Sequence, residues 1–302
     1  MAYLLPLAAV LIWSGNNVVN KLAVGVLFPA EIGFYRWVLA GALLTPLMAP
    51  RLWRFRHQVK PLIPRIIVLG LLGMAVYQTL AYYAATMTSA TNMGIILSLM
   101  PLMALGLSSA LLGLPLTLGA LVGAVISLGG VVLVVSSGDL AALVARGINQ
   151  GDALMVLATF AYAVYGVLLK RWQPPLPAML LLYLQVLVAL VALFPLLLLS
   201  PQRGASVEAV PLVIYAGVLA SMVAPLLWMQ GIARLDPSRM SLFFNLMPLL
   251  TAVIASVLLR EQLTWAHLIG GGLTLAGVIL AETWRRPLRR AAGVSLPGSA
   301  DS

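Results

Sequence analysis

The sequence predicts an all-α integral membrane protein with ten transmembrane helices, arranged as two five-helix repeats of inverted topology. Hydrophobic residues make up 62% of the 302 residues and charged residues only 9%, against roughly a quarter charged in soluble domains. Apolar runs of about 20 residues, enough to cross the hydrocarbon core of a bilayer as a helix, recur along most of the chain. The second half of the sequence also repeats the first.

Ten spans follow from the breaks at proline, glycine and charge clusters. Span 1 has the position of a signal peptide, but it lacks a basic N-terminal region and is polar at its centre, so we expect it to be retained. Spans 1 to 10 cover residues 3–24, 31–50, 64–84, 90–112, 116–137, 153–171, 177–199, 209–232, 238–259 and 263–283.

The basic residues predict the orientation of these spans. If the N-terminus is cytoplasmic, the cytoplasmic side holds 13 of the 18 Lys and Arg residues, so the positive-inside rule places both termini there. The net charge of +10 then reflects membrane topology, and no nucleic-acid partner is expected. The lipid bilayer is the expected partner, and the sequence leaves the oligomeric state open.

The repeat appears when the chain is shifted by 147 residues. The LMPL at residue 99 then falls on the LMPL at residue 246, and Gly123 and Gly130 fall on Gly270 and Gly277. These glycines have the small-residue spacing that permits close helix packing. We expect repeats at 1–137 and 153–284, a linker at 138–152, and a basic, then flexible, cytoplasmic tail at 285–302. Because five is odd, the second repeat enters the membrane from the opposite side, which predicts alternating access around a midplane site.

Polar residues are concentrated on one face of span 1. Their spacing of i, i+3, i+4, i+7 and i+8 forms a stripe that is costly against lipid, so it faces other helices or water. The asparagines either join helices through hydrogen bonds or line a cavity, and three on one stripe favour the cavity. The lysine either extends to the membrane surface from a helix end or binds substrate. The stripe consists of Trp13, Asn16, Asn17, Asn20 and Lys21.

Spans 3, 6 and 8 carry further aromatic and amide side chains. Span 6 is the repeat counterpart of span 1 at a shift of 149 residues. These side chains form either an aromatic belt at the membrane interface or more of the cavity wall. The candidates are Tyr77, Gln78 and Tyr82 in span 3, Tyr162 and Tyr165 in span 6, and Trp228 and Gln230 in span 8. Lys170 ends span 6 and has the same two alternatives as Lys21.

Spans 4 and 9 carry equivalent proline motifs. Pro101 follows Ser98 in SLMP, and Pro248 follows Asn245 in NLMP. Proline removes a backbone N–H and clashes with the preceding turn, so each span is expected to kink and to leave a carbonyl free near mid-membrane. Ser98 and Asn245 are therefore candidate substrate ligands, and Pro101 and Pro248 candidate gating kinks. Plain helix bending is the alternative.

Several kinds of chemistry are disfavoured. The chain has no cysteine and only two histidines, about 200 residues apart, so we expect no metal site and no cofactor. No nucleophile, base and orienting group can be assembled, so an enzyme is not expected. All eight acidic residues fall at predicted helix ends or in loops, which disfavours proton-coupled export of organic cations.

The sequence resembles the EamA-type family of the drug/metabolite transporter superfamily. The matching stretches are IWSGNNVVNK in span 1, YRWVLAGALL with Arg36 in span 2, and NLMPLLTAVIASVLLREQLTWAHLIGGGLTLAGVIL with Pro248 and Glu261 in spans 9 and 10. The other repeat has Gln185 in place of Arg36 and Leu114 in place of Glu261, so we interpret Arg36 and Glu261 as helix-end anchors. The resemblance implies a multi-pass carrier of the inner membrane, with a cavity lined by spans 1, 3, 4, 6, 8 and 9.

The expected function is export of aromatic or neutral amino acids and similar small zwitterions. The resemblance is strongest to the amino-acid exporters of that family, and the cavity is expected to be neutral and the flux facilitative. Two alternatives remain. Lys21 and Lys170 could bind phosphorylated or anionic metabolites, or the protein could be a membrane scaffold or scramblase.

Overall fold

The computed structural model describes residues 4–113, 117–139, 141, 145, 148–204, 206–232, 243 and 246–284. These residues form helices and no β-strand, which confirms the all-α prediction for this part of the chain. Helices α1 to α13 are Leu4–Leu22, Pro29–Val59, Ile63–Gly70, Tyr77–Ala85, Ala90–Leu97, Met100–Leu112, Leu118–Val135, Gln150–Trp172, Ala178–Leu199, Ala209–Ile214, Ala224–Ile232, Met247–Leu258 and Trp265–Thr283. Two π-helical segments, π1 (Leu71–Val76) and π2 (Tyr215–Val223), join α3 to α4 and α10 to α11.

Six helical stretches of the described chain are long and apolar enough to cross a membrane. They are Pro29–Ala85, Ala90–Leu112, Leu118–Val135, Gln150–Trp172, Ala178–Leu199 and Ala209–Trp228, and the shorter Met247–Leu258 and Trp265–Ala281 are also apolar. The first stretch is 57 residues long. The chain reverses within it, as shown by the hydrogen bond from Arg36 Nη1 to the hydroxyl of Tyr82 at 3.0 Å. Helix α1 has a comparable length of 19 residues, but its polar stripe makes it less apolar.

Spans 3 and 8 were expected as uninterrupted helices, and the structure interrupts both of them. Spans 3 and 8 contain π1 and π2, where each turn takes one extra residue. Shifted by 147 residues, π1 falls inside π2. Each π segment also carries a glycine against a neighbouring helix: a Cβ on Gly73 would contact the Tyr165 ring, and one on Gly217 would lie 2.9 Å from the Arg36 carbonyl oxygen.

Helix α2 is longer than span 2. The span was predicted to end at residue 50, whereas α2 has 31 residues and continues to Val59 with Pro46 and Pro50 inside it. A proline removes one hydrogen bond of the helix, and neither proline ends α2. The basic residues that suggested a loop, Arg51 among them, lie on exposed positions of the same helix.

Helices α7 and α13 cross at glycines and a pair of hydroxyl groups. A Cβ on Gly123 or Gly130 would overlap the carbonyl oxygen of Gly277 or Gly270, respectively. Between the glycines, Ser127 Oγ donates to the Thr274 carbonyl at 2.6 Å, and Thr274 Oγ1 donates to the Ser127 carbonyl at 3.4 Å. Ser127 and Thr274 are themselves 147 residues apart, so the contact is reciprocal between equivalent positions.

Two apolar clusters pack on either side of a central space. One centres on α2 and α9, with Leu44, Leu180 and Val186 fully buried, and the other on α1, α5 and α8, with Val10, Ile96 and Met155 fully buried. Polar side chains from both sides point into the gap that remains. That gap is the candidate site.

Candidate functional site

A cavity of about 110 Å³ lies between the two clusters. By the usual allowance per buried water, it has room for roughly eight water molecules, the size of a small metabolite. Helices from both sequence halves contribute to its wall. The lining residues are Trp13, Asn16, Asn17, Arg36, Trp37, Gly73, Met74, Tyr77, Gln78, Leu97, Ser98, Met100, Pro101, Tyr162, Leu182, Ala220, Ser221, Pro225 and Met247.

Arg36 supplies a positive charge to this wall. It lies two turns inside α2 and is only 3% exposed. Its hydrogen bonds go to hydroxyl groups: Nε and Nη2 donate to Ser221 Oγ at 3.1 and 2.7 Å, and Nη1 donates to Tyr82. The guanidinium also lies over the Trp37 ring, 4.9 Å from its centroid. No described acidic side chain pairs with it, and two of its five N–H groups are left for another acceptor.

This placement corrects two expectations. Arg36 was interpreted as a helix-end anchor, but α2 begins at Pro29, before the predicted start of span 2, and the side chain turns inward. The cavity was expected to be neutral, and Arg36 makes it cationic. The hydrogen bonds of Arg36 go to neutral hydroxyl groups, so its desolvation cost is not offset by a counter-charge among the described residues. The cavity therefore suits an anionic group.

Three buried polar atoms in the same wall have no hydrogen-bond partner among the described residues. They are Asn16 Oδ1, Trp37 Nε1 and Gln78 Nε2. Asn16 Oδ1 is an acceptor, and the other two are donors. Because most buried polar groups in proteins are hydrogen-bonded, such a cluster indicates a site that a ligand completes.

Aromatic rings form another part of the wall. The rings of Tyr77 and Tyr162 lie 4.6 Å apart between centroids, and Tyr165 packs behind Tyr162 at 5.2 Å. On the other side, Trp13 packs against Trp228 at 5.5 Å, and its Nε1 donates to the Ala220 carbonyl. Tyr77, Tyr162 and Trp13 line the cavity, while Tyr165 and Trp228 support them from behind.

The asparagines of span 1 divide between two roles. Asn16 and Asn17 line the cavity, and Asn17 Nδ2 also donates to Thr251 Oγ1 at 3.3 Å, which joins α1 to α12. Asn20 is buried behind the wall, where its Oδ1 accepts from Asn16 Nδ2. Both alternatives for this stripe, helix joining and cavity wall, are thus realised on one helix.

The helix of span 4 is interrupted at the first proline motif. Helix α5 ends at Leu97 and α6 begins at Met100, so the interruption precedes Pro101 instead of bending a continuous helix. Ser98 and Pro101 line the cavity, and Ser98 Oγ donates to the Ile95 carbonyl at 2.6 Å. In the second motif, Pro248 is buried at the start of α12, and Asn245 lies outside the described residues.

The predicted helix-end residues lie away from the cavity, with Arg36 the exception. Lys21 Nζ donates to the carbonyls of Ala85 and Thr88 at 2.9 and 2.7 Å, beyond the end of α4. Lys170 is exposed on α8. Glu261 accepts from the backbone N–H of Ala90 and Thr91 and so caps the start of α5.

Two further candidates take other positions. Gln230 is exposed, so it is not part of the wall. Tyr82 is buried behind Arg36, 2% exposed, and orients the guanidinium. The sequence pattern did not predict Trp37 and Leu182, because spans 2 and 7 were not expected to reach the site. Ser221 lies in span 8, where only aromatic and amide side chains were candidates. An arginine inside an apolar span was the signal that could have placed span 2 there.

A membrane-embedded helical chain with a ligand-sized cavity lined by buried polar and aromatic side chains is typical of solute carriers. The model of the EamA-like transporter family matches residues 1–136 and 149–283, and the chain belongs to that family. The protein is thus a multi-pass membrane transporter, and that part of the prediction is confirmed.

Individual proteins agree with this assignment. The chain is 30% identical to an uncharacterized transporter of Archaeoglobus fulgidus over 92% of this chain and 96% of the relative. It is 28% identical, over 78% of both chains, to a probable terminal-alkyne amino-acid exporter of Streptantibioticus cattleyicolor. One crystal structure, 20% identical, covers 97% of this chain and 99% of its own with a TM-score of 0.66, a likeness of fold alone.

Proposed function

We propose that the protein exports amino acids, aromatic or neutral, by binding the zwitterion in the central cavity. Arg36 holds the carboxylate, Asn16 Oδ1 accepts from the ammonium group, and the aromatic rings hold the side chain. The observation that carries the proposal is Arg36, a buried cation with unused N–H groups and no described anionic partner.

The unpartnered donors support the carboxylate end of this assignment. Trp37 Nε1 and Gln78 Nε2 line the same cavity as the guanidinium and have no described acceptor. A carboxylate offers two oxygens with about four lone pairs, enough for a bidentate arginine and further donors. Hydrogen bonds to a charged group are also stronger than those between neutral groups.

Asn16 distinguishes a zwitterion from a simple acid. Its amide nitrogen is directed to Asn20 at 3.4 Å, which leaves the oxygen unpaired. A carbonyl oxygen without a donor is the partner that an ammonium group needs. The Tyr77 and Tyr162 rings then provide an apolar, polarizable surface for the side chain. The Streptantibioticus relative, a probable terminal-alkyne amino-acid exporter, supports the same substrate class.

We propose alternating access between two inverted five-helix repeats as the mechanism. The π segments at equivalent positions, the reciprocal Ser127–Thr274 contact and the two family matches support this ten-span arrangement. The repeats comprise 1–137 and 153–284, with both termini cytoplasmic in an inner membrane. No acidic side chain lines the described cavity, which supports facilitative flux.

The alternatives receive less support. Lys21 and Lys170 do not line the described cavity, so a phosphate site built on these lysines has no geometry to favour it. A scaffold or scramblase leaves the buried cation and the unpartnered amide groups without a purpose. Competition by phosphate esters separates an anion carrier from an amino-acid carrier.

Counterflow of labelled L-phenylalanine in proteoliposomes tests the proposal. Arg36→Gln should raise the KM by about 30-fold or more, because it removes one partner of a desolvated charge pair, and Arg36→Lys should recover part of the loss. Lys170→Gln is the matched control, since it removes an exposed cation outside the cavity. Unchanged KM in Arg36→Gln would refute the site, and flux that depends on an imposed pH gradient would refute facilitative transport.

A further inference from the structure

The segment π2 is attached to α2 by one side chain of the proposed substrate site. Both Nε and Nη2 of Arg36 donate to Ser221 Oγ, at 3.1 and 2.7 Å. Ser221 Oγ in turn donates to the Ala216 carbonyl, five residues earlier, at 2.7 Å. The hydroxyl group therefore links the guanidinium directly to the i−5 spacing of the π helix.

We propose that Ser221 is a positioning residue that couples carboxylate binding at Arg36 to movement of π2 away from α2. The inference rests on the proposed function, in which Arg36 binds the carboxylate. Nε and Nη2 form the edge of arginine that pairs with carboxylates through two parallel hydrogen bonds. In this structure, that edge is occupied by a single hydroxyl oxygen.

A carboxylate competes well for this edge. It offers one charged oxygen to each N–H in a bidentate, fully ionic pair, whereas Ser221 shares one neutral oxygen between the two N–H groups. Substrate binding thus frees Ser221 from Arg36. The remaining contact at this point is close but smooth, because Gly217 lies against the Arg36 backbone and the Leu39 side chain with no side chain of its own to interlock, so π2 can move relative to α2 once these hydrogen bonds are released.

The equivalent segment in the first repeat has no such link. Met74 stands at the position of Ser221 and Gln185 at that of Arg36. The backbone packing is the same, since a Cβ on Gly70 would lie 3.1 Å from the Gln185 carbonyl oxygen, but Gln185 Oε1 has no described partner. Substrate therefore acts on π2 and leaves π1 in place.

Hydrogen exchange and binding on the purified full chain test the coupling. With L-phenylalanine, peptides covering 215–223 of the wild type should exchange several-fold faster, and those covering 71–76 should not change. Ser221→Ala should exchange fast without ligand and show no further increase. Its Kd should fall about three- to tenfold, because a hydrogen bond that competes with the substrate has been removed.

Two variants serve as controls. Ser221→Thr keeps the hydroxyl and should restore the ligand-dependent exchange. Thr159→Val removes another buried hydroxyl, one bonded only within its own helix, and should behave as the wild type. A lower Kd in Ser221→Ala would distinguish coupling from structural damage, because structural damage would weaken binding.

The outcomes are distinct. Weaker binding by Ser221→Ala, wild-type exchange behaviour in that variant, or no restoration by Ser221→Thr would overturn the coupling and leave the proposed function standing. No binding of L-phenylalanine by the wild type, with Arg36→Gln indistinguishable from it, would overturn the proposed function and the coupling together.

Discussion

Adjacent glycines in α7 should respond in opposite directions to the same substitution. A Cβ on Gly130 would lie 2.7 Å from the backbone nitrogen of Thr274, whereas a Cβ on Gly129 meets nothing within 4 Å. A comfortable contact needs at least 3.4 Å, so Gly130→Ala must move α7 and α13 apart by more than about 0.7 Å, because the Gly270 carbonyl oxygen would lie closer still to the new methyl group. Gly129→Ala adds its methyl group to open space.

The energies follow from this difference. Overpacking a tight contact costs about 1–3 kcal/mol, and a gap of 0.5–1 Å forfeits roughly a quarter to a half of each lost dispersion contact. Gly→Ala inside a helix gains about 0.5–1 kcal/mol when no clash results. We therefore expect a net loss of about 0.5–2 kcal/mol for Gly130→Ala and a small gain for Gly129→Ala.

Thermal unfolding in detergent measures both variants under one condition. At about 2–4 °C per kcal/mol, Gly130→Ala should unfold several degrees below the wild type and Gly129→Ala at or slightly above it. Gly123→Ala, at the reciprocal contact with Gly277, should behave as Gly130→Ala does. Equal shifts for Gly129→Ala and Gly130→Ala would refute the packing of α7 on α13, and would remove one support for the proposed inverted-repeat arrangement.

Three further results are expected. Asn16→Ala should weaken binding of L-phenylalanine about tenfold but leave 3-phenylpropionate, which lacks the ammonium group, unaffected; an equal loss for both ligands would remove Asn16 from the ammonium site. Glu261→Gln should lower the unfolding temperature by a few degrees, because a neutral amide caps the start of α5 less well; no shift in thermal unfolding would mean that the cap contributes nothing. Gln230→Ala should leave counterflow unchanged, since the side chain is exposed, and a loss of flux would place it in the pathway.

Hydropathy and the repeat predicted which parts of the chain are helical, because burial in lipid fixes the length and composition of a span. They could not predict π1 and π2, since a π turn depends on how a helix meets its neighbours and the sequence has no signature for it. Arg36 was misassigned for a related reason. Whether a charge near the start of a span lies at the surface or in a cavity depends on where the helix begins and which way it faces.

The polar stripe of α1 predicted the location of the site, but it did not predict which of its residues line the cavity. Helical spacing places Asn16, Asn17 and Asn20 on one face, but only Asn16 and Asn17 line the cavity. Asn20 lies one turn further along, where α1 packs closely and the side chain is buried at 2% exposure. Helical periodicity predicts which way a side chain points. Where along the helix a cavity opens depends on tertiary packing, which the periodicity does not show.

The two halves share glycines and prolines that shape the helix packing, whereas the two residues of the proposed carboxylate site have no counterpart of the same kind. Gly123 and Gly270 are equivalent, as are Pro101 and Pro248, and both halves contain a π segment. In the repeat alignment, Arg36 corresponds to Gln185, and Ser221 corresponds to Met74. In the proposed mechanism, this division has a physical reason. Rocking between two open states needs similar contact surfaces on both sides, but one carboxylate needs one cation, and a second buried guanidinium would add a desolvation cost with no substrate group to offset it.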